Sequence, residues 1–243
     1  MHRRMRSGIG LLLLSMILLN GCQSGHSPIK PNDGASNMVT EETEDVQMKN
    51  LFRAAEAGRT DEVLRELERG ADINGRDSRG RTPIMAAVHG NKPETVQALI
   101  EAGADINIQD NRLDNPFLYA GAEGLPEILK LLIEAGADPA MTNRFGGTAL
   151  IPAADRGHVE IVRMLLAESE VAINHVNNLG WTALLEAVIL GDGGQRHSEI
   201  VQLLIDNGAD VNLADRDGTT PLQHAKKRGY KAMIAALEAA GGN

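Results

Sequence analysis

Two separate markers recur along this chain at one spacing. Gly70-Ala71-Asp72-Ile73-Asn74 returns as Gly103-Ala104-Asp105-Ile106-Asn107, as Gly136-Ala137-Asp138 and as Gly208-Ala209-Asp210-Val211-Asn212. Thr82-Pro83 is echoed by Asn115-Pro116, Thr148-Ala149, Thr182-Ala183 and Thr220-Pro221, at steps of 33, 33, 34 and 38 residues. A fixed period of this length means stacked supersecondary units, each too small to bury its own apolar face.

The residues say what one unit is. Thr82, Thr148, Thr182 and Thr220 stand where a side-chain oxygen can accept from the first free amides of a helix, and Pro83, Pro116 and Pro221 stand at the first helical position. Aliphatic runs such as Ile128, Leu131, Leu132 and Ile133, or Ile200, Val201, Leu203 and Leu204, predict a second helix with one broad apolar face. Gly103, Gly136 and Gly208 end it, because glycine takes the left-handed cap without a side-chain clash. Alanines such as Ala86, Ala87, Ala120, Ala153 and Ala154 let neighbouring helices approach closely.

The best-kept unit, Thr148-Ala149-Leu150-Ile151-Pro152-Ala153-Ala154-Asp155-Arg156-Gly157-His158-Val159-Glu160-Ile161-Val162, resembles the ankyrin repeat family. The resemblance covers residues 46–243 in about six units. It implies an all-α ankyrin repeat solenoid of helix-turn-helix units joined by short β-hairpin connections. Terminal units need polar outer faces. Accordingly the first has Lys49-Asn50 where a threonine start belongs, and the last carries Lys226, Lys227, Arg228 and Lys231.

Ahead of the repeats, Met1 to Arg6 holds three arginines and Ile9 to Leu19 is an apolar run, the order of a secretory leader over residues 1–21. Leu19-Asn20-Gly21-Cys22 is similar to the lipobox of bacterial lipoproteins, which implies cleavage before Cys22 and lipid attachment to it; the alternative is an ordinary leader beside a chance cysteine. Gln23 after the cysteine resembles the sorting pattern for the outer membrane, which implies a lipid-anchored protein of the bacterial envelope on that membrane's periplasmic face. Residues 22–45 then comprise the lipid-attachment cysteine that this resemblance implies and a stretch rich in Ser, Gly, Pro, Asn and acids, whose composition predicts a disordered tether.

Charge and composition exclude several functions. The formal net charge of -9 becomes -12 once Arg3, Arg4 and Arg6 leave with the leader, against what a nucleic-acid binder needs. The single cysteine rules out an intrachain disulfide and a structural zinc site built on two or more thiolates. No phosphate loop, nucleophile elbow or zinc-helix motif occurs, and Asp215-Arg216-Asp217-Gly218 lacks the later ligands of a calcium loop. The expectation is a monomer without cofactor, resident metal or catalytic residues.

What remains is recognition. In the family the hairpin tips and first helices line a concave face, and carrying this over implies a partner-binding surface of Arg79, Arg112, Asp114, Tyr119, Glu123, Arg144, Phe145, Asp155, Arg156, Trp181 and Glu186. Arg81, Leu179, Arg216 and Asp217 also fall on the tips, and His89, Ile189, Leu190, Lys227 and Arg228 on exposed first-helix positions. Trp181 is either a binding residue or packed on the neighbouring hairpin, and Glu186 is either groove-facing or paired to hairpin amides. His158 and His224 read as structural hydrogen-bonding residues rather than ligands. The fifth unit carries an insertion, residues 191–198, in which Asp192, Arg196 and His197 form a contact loop, a weak cation or phosphate cradle, or nothing more than a tolerated surface loop. The resemblance implies that the partner is another protein: an envelope enzyme such as a catalase that is stabilised or positioned, or a toxin that is blocked. An enzyme built on the 191–198 loop is the remaining alternative.

Overall fold

A computed structural model describes the backbone from Asp33 to Asn243 and the side chains from Glu44 onward; the leader and Cys22 lie outside the described residues. The described residues form six helix pairs. They are α1 (Asp33–Ala57) with α2 (Thr60–Glu68), α3 (Pro83–His89) with α4 (Pro93–Glu101), and α5 (Pro116–Glu123) with α6 (Pro126–Glu134). The series continues with α7 (Leu150–Asp155) and α8 (Val159–Glu168), α9 (Ala183–Ile189) and α10 (Gln195–Asp206), and α11 (Pro221–Arg228) and α12 (Lys231–Ala239). First helices pack on first helices and second on second along the stack, as a solenoid requires.

One core runs the whole length. Leu51, Ile84, Phe117, Leu150, Leu184 and Leu222 hold the same place in successive first helices, each at 2% exposure or less. Leu99, Leu132, Leu165, Leu204 and Leu237 repeat in the second helices and are fully buried. Each unit therefore contributes one layer to a core that belongs to no unit alone.

The expected caps form at four of five starts. The Thr82, Asn115, Thr182 and Thr220 side chains accept from the amides of Met85, Leu118, Leu185 and Gln223. Thr148 does not cap. Pro152 has no N–H to give to the Thr148 carbonyl, so the Ile151 amide takes it instead at 3.2 Å. Helix α7 then starts only at Leu150, and the buried Thr148 hydroxyl is left without a partner.

Two further expectations change. The segment 22–45, read as a disordered tether, is helical from Asp33: with no proline between Pro31 and Pro83, nothing in the sequence stops α1 from extending backward. The connections are tight turns, and no strand occurs among the described residues. Each turn is closed by one Asp or Asn side chain standing five residues before the Thr or Asn that precedes the helix. Asp77 Oδ1 accepts from the amides of Arg79 and Arg81, and Asp110, Asn143, Asn177 and Asp215 do the same in the following units. Side-chain acceptors thus replace a strand ladder.

Three residues earlier on the same connections, an asparagine seam joins the units. Asn74, Asn107, Asn174 and Asn212 each accept, through Oδ1, from the backbone amide of Asp105, Asp138, Asp210 and Asn243 in the next unit. The third unit has Ala140 at this place and makes no such bond to the fourth.

Candidate functional site: a cleft across the central units

The first helices and turn tips of the second to fifth units enclose a cleft of about 370 Å³. Its walls come from three layers of the stack. Arg112, Asp114, Tyr119 and Glu123 stand on the third unit, Arg144, Phe145, Asp155 and Arg156 on the fourth, and Leu179, Glu186 and Leu190 on the fifth. Nine of the eleven residues expected on the partner-binding face are therefore brought together: Arg112, Asp114, Tyr119, Glu123, Arg144, Phe145, Asp155, Arg156 and Glu186.

Arg79 and Trp181 are the other two. Arg79 lines an adjoining hollow of about 230 Å³ with Asp110, Arg112, Asp114 and Tyr119. Trp181 is half-buried beside the cleft and does not line it; its backbone closes the turn on Asn177. Arg81, expected on the tips, is buried at 4% exposure, where its guanidinium meets Asp77 at 2.9 Å and Glu56 at 3.5 Å. Ile189 is buried and Leu190 half-exposed, so the apolar pair of α9 divides between core and cleft.

The cleft has an apolar rim and a polar floor. Phe145 is 52% exposed, with the Arg144 guanidinium 4.5 Å above its ring. Leu113 and Leu179 expose about as much at neighbouring tips. Leu113 is also strained. Its φ is +60°, at the tip place that Gly80, Gly146, Gly180 and Gly218 fill elsewhere. A leucine there costs on the order of 1–3 kcal/mol. The sequence carried the signal for this residue, a leucine replacing the periodic glycine.

Both readings of Glu186 hold at once. It faces the cleft, and its Oε1 accepts from the Asn177 side-chain amide at 2.7 Å. Burial, aided by the nearby Asp155 charge and opposed by Asn177, pushes its carboxyl up to about 7. Burial also raises Asp155 and Asp114 above the ordinary carboxylate range, with Asp110 adding to it at Asp114. On the other wall His89 stacks on Tyr119 at 3.9 Å, and burial lowers its basicity. Arg156 is engaged by the Glu123 carboxylate and the Ala122 carbonyl.

The raised Glu186 carboxyl has a stability consequence. Between pH 4.5 and 7 the unfolded chain loses this proton while the folded protein keeps it, so this group lowers stability progressively across that window. Glu186→Gln keeps the acceptor for Asn177 and removes the titration. It is expected to match the parent at pH 4 and to exceed it by about 1–2 kcal/mol at pH 8, as read from urea unfolding. Equal stability at both pH values would contradict the buried-carboxyl assignment.

The insertion is tied down. His197 is buried, with Nδ1 2.9 Å from the Asp192 carboxylate and Nε2 2.8 Å from the Asp155 carbonyl, while the Tyr230 hydroxyl donates to the Gly191 carbonyl. Asp192 and Arg196 are exposed. His158 and His224 are likewise engaged, with the Ala122 carbonyl and the Asp215 carboxylate. Among the described residues no three His, Cys, Asp or Glu side chains gather as a metal site, and no helix is long and apolar enough to cross a membrane.

Comparison with known proteins agrees with this architecture. Family profiles described as ankyrin repeats match residues 33–110, 51–143, 117–215 and 194–238. The chain belongs to the ankyrin repeat family. It is 44% identical to the Escherichia coli K12 ankyrin repeat protein YahD over 200 residues, which is 81% of this chain and all of that protein. A crystal structure of an ankyrin repeat domain from Acinetobacter baumannii AYE superposes with a TM-score of 0.77 at 51% identity, over 79% of this chain and 98% of that one. At 27% identity and a TM-score of 0.68, 79% of the chain also superposes on 97% of a chain in the complex of the Bdellovibrio bacteriovorus predatory endopeptidase Bd0816 with immunity protein Bd3460. Ankyrin repeats mediate protein–protein interaction, and no catalytic family is indicated for this chain.

Proposed function

We propose that this ankyrin repeat protein is a scaffold of the bacterial cell envelope, held at the membrane by an acylated Cys22, that binds a partner protein across the central cleft and stabilises or positions it. The observation that carries the reading is a row of exposed apolar side chains at successive tips: Phe145 and Leu179 line the cleft, Leu113 stands on the tip before them, each is about half exposed, and Leu113 is held at a backbone angle that a glycine would occupy without strain. Exposed apolar side chains bordering a polar groove are what an interface core requires. Strain kept at a surface position points to use rather than to packing. A second reading, that the chain blocks a toxin or enzyme as an immunity protein, has its own support. One structural neighbour comes from a complex of an endopeptidase with an immunity protein, and the acidic net charge suits a basic target.

The test uses the full-length chain from solubilised envelope. Wild type should recover one protein that the Phe145→Ala, Leu179→Ala variant recovers at least about tenfold less well. Leu113→Gly should raise thermal stability by about 1 kcal/mol and still weaken recovery. Cys22→Ala should leave recovery intact and release the chain to the soluble fraction. Equal recovery by wild type and rim variants would remove the cleft as the binding face. A longer lifetime for the bound partner favours the stabiliser; loss of its activity favours the immunity reading.

A further inference from the structure

The floor of the cleft carries two carboxyl groups, and among the described residues neither is held in a salt bridge. Asp155, at the end of α7, and Glu186, on the adjoining α9, both face the cleft. Glu186 is only 7% exposed, and its one side-chain hydrogen bond leaves Oε2 without a donor among the described residues. The Asp155 carboxylate accepts no hydrogen bond there either; the His197 ring approaches the Asp155 backbone carbonyl instead.

The surrounding cations are spent elsewhere. Arg156 is bound to Glu123 and Ala122, Arg144 lies over Phe145, and Arg112 stands beside Asp114 at 3.9 Å. Burial, with the Asp155 charge adding to it, favours the protonated form of Glu186, and an arriving cation favours the ionised one. A metal ion is a poor answer, since no third ligand is in place among the described residues. A long cation with an apolar stem answers both halves of the cleft. Its stem covers Leu179 and the part of Phe145 that Arg144 leaves open, and its charged head reaches the acids below.

Resting on the protein-binding reading above, we propose that the cleft between α7 and α9 receives an arginine or lysine side chain of the partner, its charge between Asp155 and Glu186 and its stem against Phe145 and Leu179. The arrangement gives the partner a chemical requirement: an exposed basic residue flanked by apolar ones. A guanidinium, whose fork can satisfy both carboxylates at once, fits better than an ammonium.

The probes are three capped peptides, Leu-Arg-Leu, its citrulline counterpart and Leu-Glu-Leu, titrated into the detergent-solubilised full-length protein and followed by amide chemical shifts at Phe145, Leu179 and Glu186. Citrulline keeps the shape of arginine and removes the charge. The arginine peptide should bind about tenfold more tightly than citrulline, and the glutamate peptide most weakly. The preference should vanish in Asp155→Asn, Glu186→Gln, with Asp155→Asn alone as the control should the pair fail to fold. Equal binding of arginine and citrulline, tighter binding of the glutamate peptide, or no binding at all would overturn the proposal. A partner recovered from the envelope by wild type and by the Asp155→Asn, Glu186→Gln variant alike, but lost by the Phe145→Ala, Leu179→Ala variant, would overturn this assignment while leaving the protein-binding reading intact.

Discussion

Gly90→Ala is expected to separate the first unit from the rest of the stack. Gly90 caps α3 with an ordinary φ of -75°, so the backbone itself would accept an alanine. Space forbids it. A Cβ at this position would lie 2.1 Å from the Glu56 carbonyl oxygen on α1. That neighbour is main chain and cannot swing aside, so α1 must move as a body. We expect a loss of about 3 kcal/mol, at the upper end for overpacking. Because each layer touches only its neighbours, the damage should be local. Hydrogen exchange should show the α1 amides losing protection while those of α9 to α12 keep theirs. Wild-type protection across α1 would show that the close approach of α1 to α3 does not exist in solution.

Phe117→Ala strikes the middle of the solenoid. Phe117 is 1% exposed and is the largest fully buried side chain of the described core. It sits in the third of six layers, where a cavity faces neighbours on both sides. Removing the ring should cost about 3–5 kcal/mol. For a chain of this size that corresponds to a fall of roughly 10 °C in Tm. Unlike Gly90→Ala, this change should lower protection throughout the central units, including the helices that wall the cleft. A loss under about 1 kcal/mol would mean that the layers slide together and fill the space.

The repeat made the helices and their order legible before any coordinates, because the markers are local: a cap, a proline, an apolar run, a glycine stop. The misreadings come from effects that are not local. Thr148 looks like its counterparts in sequence, and only Pro152, four residues on, prevents it from capping. Arg81 occupies a tip position, yet two carboxylates, Asp77 of its own turn and Glu56 on α1, draw it inward. The turn-closing Asp77, Asp110, Asn143, Asn177 and Asp215 share a period as regular as the threonines, so this signal was available. Of the expected binding face, most residues meet in one cleft because their position within the unit fixed their side of the stack. Trp181 shows the limit of that rule. A shared position settles which edge a residue occupies, whereas the direction of a large ring depends on the space its neighbours leave.

The asparagine seam has its gap between the third and fourth units, and this is also where the cleft is centred, with Tyr119 on one side and Asp155 and Glu186 on the other. The same two units stay joined through the Gln109 side-chain amide on the Thr142 carbonyl at 2.8 Å and through Arg156, which reaches from the end of α7 to the Glu123 carboxylate and the Ala122 carbonyl on α5. Where the asparagine rung is missing, the fastening is therefore a charged clasp, and cleft-lining residues make it: Ala122, Glu123 and Arg156 all stand in the cleft wall. Whatever occupies the groove meets that clasp directly, so occupancy and the joint between the two halves of the stack draw on the same side chains.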